Sequence, residues 1–447
     1  SMKGNFARLL LSGTHSGCGK TTVFCALLQA LRNRGEDAAA FKCGPDYIDP
    51  MFHRSVIGAA SGNLDSFFCG EYLPAVFADS ARKINLIEGA MGYYDGMGFT
   101  SEHSAYEIGR RLNAPAVLVV DGRGSSLSVL AQLQGFLHFR KESNIRGFIL
   151  NRVSRHVYEG LKEVWNEEGG AGLYGYFPVL GEELTLQSRH LGLVTAGEVE
   201  NLREKLAKLA EIAEECVDIA GLLSLAASAP ALEFEPPALP QFPELHIAVA
   251  KDAAFCFYYA EELKLFEKMG ARLSYFSPLE DSAPPADADC LYFGGGYPEL
   301  YAEKLAANSS MLRAVRAAHA RGVPVFAECG GFLYLNRLLD GHPMAGILNG
   351  ESENKHKPVR FGYVELEAGE DTLVAGKGAR LRGHEFHYYD CTENGAAFTA
   401  RRKGSEYRCI AAGKNLVAGF PHIHFYSNLE CAATFYKNCL KAKESRI

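Results

Sequence analysis

The sequence predicts an α/β protein of two domains, and three observations predict it. Short apolar runs alternate with helix-like segments, the 447 residues exceed what one ordinary core organises, and a proline-rich stretch divides them. The runs 8–12, 84–87, 115–120 and 148–150 are bounded by turns or charges, which is the rhythm of strands buried in a parallel sheet. Between them, residues 21–34 carry helical apolar spacing and stop at Gly35, a C-terminal cap. Residues 195–225, rich in Glu, Lys, Leu and Ala, read as a further helix. From 226 to 244 proline repeatedly removes backbone donors and favours extended chain. The expected domains are therefore 1–225 and 245–447, with 226–244 as the linker. A second α/β rhythm opens with His246-Ile247-Ala248-Val249-Ala250 and continues through Cys290-Leu291-Tyr292-Phe293 and Pro324-Val325-Phe326.

Composition excludes several classes. A net charge of -7 without clustered Lys and Arg argues against a nucleic-acid binder. No apolar stretch reaches the roughly 18 residues of a membrane span, and the first residues lack the order of a signal peptide. The expectation is a soluble, cytoplasmic protein with no membrane partner. The twelve cysteines are scattered, with no CxxC pair and no zinc-type Cys/His spacing. Most read as small buried hydrophobes in a reducing compartment.

Two motifs carry chemistry. The first is Gly13-Thr14-His15-Ser16-Gly17-Cys18-Gly19-Lys20-Thr21-Thr22, placed after a strand and before a helix. There backbone N–H groups and a helix N-terminus converge on phosphate oxygens, Lys20 adds a point charge, and the Thr21 hydroxyl can ligate magnesium. Five residues separate Gly13 from Gly19, one more than the common pattern. Magnesium takes one or two carboxylates beside phosphate and water. Asp46 and Glu88, at the carboxyl ends of expected strands, are the candidates. Each also fits a solvated loop acid or a helix cap. Asp95, in Tyr93-Tyr94-Asp95-Gly96, reads from its neighbours as a turn aspartate.

The second motif is Phe326-Ala327-Glu328-Cys329-Gly330-Gly331. A strand-turn-helix elbow needs small neighbours, and it sets the Cys329 sulfur at a helix N-terminus that favours thiolate. Its base is a histidine distant in sequence, His422 or His424, which point the same way in an extended segment. The loop Gly294-Gly295-Gly296-Tyr297-Pro298 offers backbone N–H groups, those of Gly295 and Gly296, to an oxyanion.

With these residues in view, the chain resembles the cobyrinic acid a,c-diamide synthases, which join a dethiobiotin-synthetase-like P-loop ATPase domain to a class I glutamine amidotransferase domain of flavodoxin-like α/β fold. The five-residue loop spacing is the dethiobiotin synthetase variant. Further stretches are similar as they stand: Gly44-Pro45-Asp46-Tyr47-Ile48-Asp49-Pro50, Asn63-Leu64-Asp65, Glu88-Gly89-Ala90-Met91-Gly92, Arg189-His190-Leu191-Gly192-Leu193, Asp252-Ala253-Ala254-Phe255 and Gly383-His384-Glu385-Phe386-His387-Tyr388. The resemblance implies magnesium held by Thr21, Asp46 and Glu88, and ATP on Gly13, Thr14, Gly17, Cys18, Gly19, Lys20, Thr21 and Thr22. It places Asn151 near the adenine and gives Asp46 and Asp95 a part in substrate handling or catalysis. It makes Cys329 the glutaminase nucleophile and favours His422 as its base, with His424 as the fallback. The implied co-substrates are ATP and L-glutamine, and the implied partner is a corrinoid; a homodimer is compatible with it. Ordinary class I amidotransferases place a glutamate two residues beyond the histidine, where this chain has His424; the cobyric-type branch also lacks that acid. Two departures concern substrate contacts: Cys256 stands where asparagine is expected, and Leu186-Gln187-Ser188 replaces Leu-Pro-Glu.

The closest rival reading keeps this chemistry and changes the tetrapyrrole to hydrogenobyrinic acid or nickel sirohydrochlorin. A rival of another class is an ATP-dependent partition-type switch. Such switches carry a signature lysine early in the loop, which Thr14-His15-Ser16 does not supply, and they give Cys329 no task.

Overall fold

Strand β1 (Arg8–Gly13) is buried at every residue, which is why its sequence is a continuous apolar run rather than an alternating one. In the computed structural model, which describes residues 1–168, 170–186, 194 and 196–447, β1 lies at the middle of a seven-stranded parallel sheet. Its other strands are β2 (Ala38–Cys43), β3 (Ala60–Leu64), β4 (Ile84–Glu88), β5 (Ala116–Asp121), β6 (Ile145–Asn151) and β7 (Gly172–Phe177). The order is β3-β2-β4-β1-β5-β6-β7, so β1 pairs β4 on one side and β5 on the other. That reversal is the switch point beside which ligands bind in open α/β sheets.

Helix α1 (Lys20–Asn33) follows β1. It ends in a Schellman arrangement: Gly35 (φ 79°) donates to Arg32 O and Glu36 donates to Leu31 O, both at 3.0 Å. Helix α2 (Ala196–Cys216) packs on α1 through buried Leu206, Leu209, Ala210 and Ala213, a helical stripe. The single helix expected over 195–225 is in fact two. Asp218 breaks it by donating its N–H to Tyr174 O (2.7 Å) and capping helix α3 (Ile219–Ala227), where its carboxylate accepts from Gly221 N at 2.9 Å.

The chain divides into two compact units, Ser1–Pro237 and Ala238–Ile447. The start of the stretch expected as linker belongs to the first unit. Leu232–Phe234 forms an antiparallel ladder with Met2–Gly4, and the buried Arg8 guanidinium donates to Pro230 O (2.8 Å) and Leu112 O (2.8 Å). Proline there limits the strand to three residues instead of preventing it.

The second unit is built on β8 (Leu245–Ala250), β9 (Phe255–Phe257), helix α4 (Ala260–Met269), β10 (Ala271–Phe276), β11 (Cys290–Phe293) and β12 (Gly295–Gly296). Next come β13 (Val325–Glu328), helix α5 (Gly330–Leu335), β14 (Arg360–Ala368) and β15 (Arg380–His387). The last are β16 (Phe398–Arg402), β17 (Ser405–Cys409), β18 (Ala411–Gly413), β19 (Leu416–Gly419) and β20 (His422–His424). One sheet has the order β10-β8-β11-β13-β19-β18, parallel except for its last pair. An antiparallel sheet has the order β17-β16-β14-β15-β20, and in it His384 of β15 pairs with His422 of β20.

Candidate active sites

The phosphate loop is held open by its neighbours. Asn151, at the end of β6, donates its side-chain amide to Cys18 O at 3.0 Å. Gly19 has φ 92°, and a Cβ built there would stand 2.0 Å from Asn151 Nδ2, so only glycine fits. Cys18 is fully buried with its sulfur packed beneath Gly13, and it can serve a ligand only through its backbone. Lys20 Nζ donates to Met91 O at 3.3 Å, which ties the loop to the turn after β4. Thr22 departs from expectation. Its hydroxyl donates to Leu186 O (3.2 Å) and accepts from Leu186 N (3.0 Å), so that side chain serves the packing of the unit rather than the loop mouth.

Glu88 is not a solvated loop acid, whereas Asp46 is half-buried in the loop after β2. Glu88 is fully buried at the end of β4, with Lys42 Nζ 3.3 Å from Oε2 and His53 Nε2 3.7 Å from Oε1. The same ammonium lies 2.8 Å from Asp49 Oδ2. Burial opposes the charge on Lys42, but Glu88 and Asp49 outweigh it and hold its pKa above the ordinary lysine value. Burial raises Glu88 to about 7, against the pull of Lys42. Asp46 accepts from the N–H groups of Ile48 (2.9 Å) and Asp49 (3.2 Å), the first two residues of the short helix that follows. Burial and then the Asp49 charge raise it to about 6. Lys42, Asp49 and His53 were not anticipated. Asp49 was readable as the third residue after Asp46, whereas Lys42 joins them only through the register of β2 with β4.

The residues near the loop suit a magnesium ion that shares phosphate. They are oxygen donors, Thr21, Asp46 and Glu88, and Glu88 Oε1, Ser12 Oγ and Thr14 Oγ1 are buried without a hydrogen-bond partner in the protein. Asp95 Oδ2 accepts from Gly92 N at 2.9 Å, so it does cap a turn. A Cβ at Gly92 would lie 2.7 Å from Thr14 O, which puts that turn directly against the phosphate loop.

In the second unit, Cys329 sits between β13 and α5 with φ 48° and ψ -104°, a strained conformation for a residue with a side chain. Its N–H donates to Gly419 O at 2.8 Å. The thiol does not have the lowered pKa expected from a helix N-terminus. Burial, followed by the charges of Glu299 and Glu385, pushes it well up, and the Gly330 N–H offsets only part of this. Helix α5 has six residues, too few for a strong dipole.

The glycine loop, the elbow and one histidine converge. A Cβ at Gly295 would come within 2.8 Å of His422 Cε1, and one at Gly330 within 3.2 Å of Gly296 N. His422 therefore faces the oxyanion-hole candidates beside Cys329. His424, although it shares a strand face with His422, is engaged elsewhere: Nε2 lies 2.9 Å from Glu261 Oε1, and Nδ1 accepts from Tyr426 N at 3.3 Å. Burial and then the charge of His387 lower His422 to about 3. Its ring stacks on His384 (4.8 Å between centroids), and Tyr259 OH and His384 Nε2 are 2.6 Å apart. His387 stacks on Phe420 at 3.9 Å. Glu328 Oε2 lies 3.2 Å from His422 Nδ1, and burial raises Glu328 to about 8. Cys256 lies on β9, which pairs with β12 and so borders the glycine loop. Gln187, Ser188 and Arg189-His190-Leu191-Gly192-Leu193 lie outside the described residues.

Two family models match. The CobQ/CobB/MinD/ParA nucleotide binding domain covers residues 9–186, and the CobB/CobQ-like glutamine amidotransferase domain covers residues 246–429. Among curated relatives, the cobyrinate a,c-diamide synthase of Caldanaerobacter subterraneus subsp. tengcongensis is 40% identical over 443 residues, covering 96% of this chain and 98% of its own. That of Clostridium acetobutylicum is 38% identical over 431 residues, covering 94% and 98%. That of Salmonella typhimurium is 40% identical over 439 residues, covering 93% and 94%.

Proposed function

Because this chain belongs to the cobyrinate a,c-diamide synthase family, we propose that its phosphate loop and its thiol elbow carry the two halves of one glutamine-dependent amidation. The protein is a carbon–nitrogen ligase of cobalamin biosynthesis. It amidates the a and c acetate carboxylates of cobyrinic acid with ATP, and glutamine donates the nitrogen. The observation that supports the assignment of residues is that Gly295 lies against His422 and that Gly330, next to Cys329 in its strained elbow, lies against Gly296 N.

In the glutaminase half, Cys329 gives its proton to His422 Nε2 and attacks the side-chain carbonyl of glutamine. The Gly295 and Gly296 N–H groups face the oxyanion. The proton returns to the leaving nitrogen, ammonia departs, and water hydrolyses the glutamyl thioester to glutamate and free thiol. In the synthetase half, the loop backbone and Lys20 hold the triphosphate, with Asn151 keeping the loop in shape for the nucleotide. Thr21, Asp46 and Glu88 would hold magnesium, which would supply neutralisation of phosphate charge. Asp46 and Asp95 take part in substrate handling or catalysis. The γ-phosphoryl group passes to that carboxylate, and ammonia displaces phosphate from the acyl phosphate to leave the amide and ADP. The twelve cysteines as free thiols fit a reducing cytoplasm.

The test is product formation from cobyrinic acid, with hydrogenobyrinic acid and nickel sirohydrochlorin in parallel, read by mass spectrometry. Diamide from cobyrinic acid is expected, and amidation of another tetrapyrrole alone would move the substrate. Cys329→Ala should lose glutamine-dependent synthesis while keeping ammonia-dependent synthesis; full glutamine-dependent activity in this variant would overturn the assignment of the thiol.

A further inference from the structure

We infer that Glu328, the residue immediately before the nucleophile, is the acid that positions His422, in place of the carboxylate absent from position 424. The inference rests on Cys329 and His422 being the thiol and base proposed above. Strand register explains how the residue next to the thiol comes to serve the histidine. Tyr292 of β11 pairs with Phe326 of β13, so Glu328, two residues further along β13, lies on the same face as Phe326 and the Tyr292 ring. The Tyr292 hydroxyl donates to Glu328 Oε1 at 3.0 Å. On the other side of β13, Glu328 pairs with Gly419 of β19, from which the chain turns through Phe420 and Pro421 to His422. The Ile423 N–H also bonds the Glu328 carboxyl, and His422 Nδ1 stands 3.2 Å from Oε2. The carboxyl is thus fixed by a tyrosine on one strand and a backbone N–H on another, with the imidazole between them.

The other acids nearby have different tasks. Glu261 binds His424, Glu262 accepts from Phe425 N at 3.0 Å, and Glu385 binds Arg402 (2.9 Å) and the Tyr407 hydroxyl. Position 424 itself holds a histidine whose two ring nitrogens are engaged by Glu261 and Tyr426 N.

The chemistry follows from the geometry. An acceptor at Nδ1 keeps the imidazole proton there, leaving the Nε2 lone pair toward the thiol. When Nε2 takes the Cys329 proton, the imidazolium forms beside Glu328, and the same proton then leaves on ammonia. Glu328 gains and loses no proton in this cycle. It touches neither glutamine nor the thioester, and is a positioning residue.

The experiment measures glutaminase turnover, ammonia-dependent synthesis and the rate at which 6-diazo-5-oxo-L-norleucine labels Cys329, in the full chain. Glu328→Gln keeps the shape and replaces the carboxyl group by an amide, which can turn an N–H instead of an acceptor oxygen toward Nδ1. It should lower glutaminase kcat by about a hundredfold, with the KM for glutamine within about threefold and ammonia-dependent synthesis unchanged. In a His422→Asn background, Glu328→Gln should slow labelling by less than about twofold further, because its effect passes through the imidazole. Glu261→Gln, which touches His424, should leave glutaminase turnover within about threefold of the starting protein.

Wild-type glutaminase turnover in Glu328→Gln overturns the proposal, as does an undiminished further loss in the His422→Asn background. If Glu328→Gln also loses ammonia-dependent synthesis, the decision passes to Tyr292→Phe, which frees one carboxyl oxygen. A drop of about fivefold confined to glutaminase supports the proposal, and unchanged glutaminase overturns it. Full glutaminase turnover in His422→Asn would instead overturn the underlying assignment of the base.

Discussion

Cys329 is a nucleophile whose surroundings, before substrate arrives, oppose its ionisation. Burial acts first and the Glu299 and Glu385 charges second, so the thiol keeps its proton above the pH at which an ordinary cysteine loses it. In the protein without glutamine, alkylation of Cys329 by iodoacetamide, followed on its peptide by mass spectrometry, should still be accelerating at about pH 9. A plateau below about pH 8 would show a thiolate already formed and would contradict this account. Proton transfer to His422 in the presence of glutamine, rather than a standing thiolate, then sets the timing of attack. The sequence pointed to the thiol through the small residues at its elbow, and the family resemblance pointed to His422 as its base. The sequence could not show what Glu328 faces, because that depends on which strands lie beside β13. The residues alone left His422 and His424 open, because both point the same way from an extended segment; in the fold Glu261 of helix α4 engages His424.

Individual elements were legible where their ends are written in local chemistry. Gly35 closes α1 because the Schellman turn needs a left-handed residue at that point, and the sequence reading placed the end there. The break between α2 and α3 was missed because the Glu-, Lys-, Leu- and Ala-rich composition runs through it. Asp218 supplies the break by capping α3. Asp218→Ala should therefore cost about 1 kcal/mol and lower the midpoint of the first unit's thermal unfolding by about 2–4 °C. An unchanged midpoint, measured by circular dichroism or calorimetry, would mean that packing of α3 alone sets its start. The strand that ends at Glu88 and the one that precedes Asp46 were likewise legible as buried apolar runs. The Lys42 ammonium between Glu88 and Asp49 was not, because it depends on β2 lying next to β4.

At the scale of the whole molecule, each unit has its own buried core, one around β1 and α1 and the other around β11 and β13. Their ligands should therefore act on separate transitions. A nonhydrolysable ATP analogue with magnesium should raise the unfolding temperature of Ser1–Pro237, and covalent labelling of Cys329 by 6-diazo-5-oxo-L-norleucine should raise that of Ala238–Ile447. Scanning calorimetry resolves the two, and a single transition moved equally by either ligand would count against it. Two α/β units were readable from the repeated rhythm of apolar runs. The exact end of the first was not, because a ladder between residues more than two hundred apart leaves no local trace.

That ladder, Met2–Gly4 against Leu232–Phe234, bears on how the chain is born. Synthesis delivers the N-terminal residues first, and domains fold as units while it proceeds. The first unit's opening strand must wait for a partner that is almost the last of its own segment to leave the ribosome. Once that partner pairs, the ATPase is stitched shut just before β8 starts the next core.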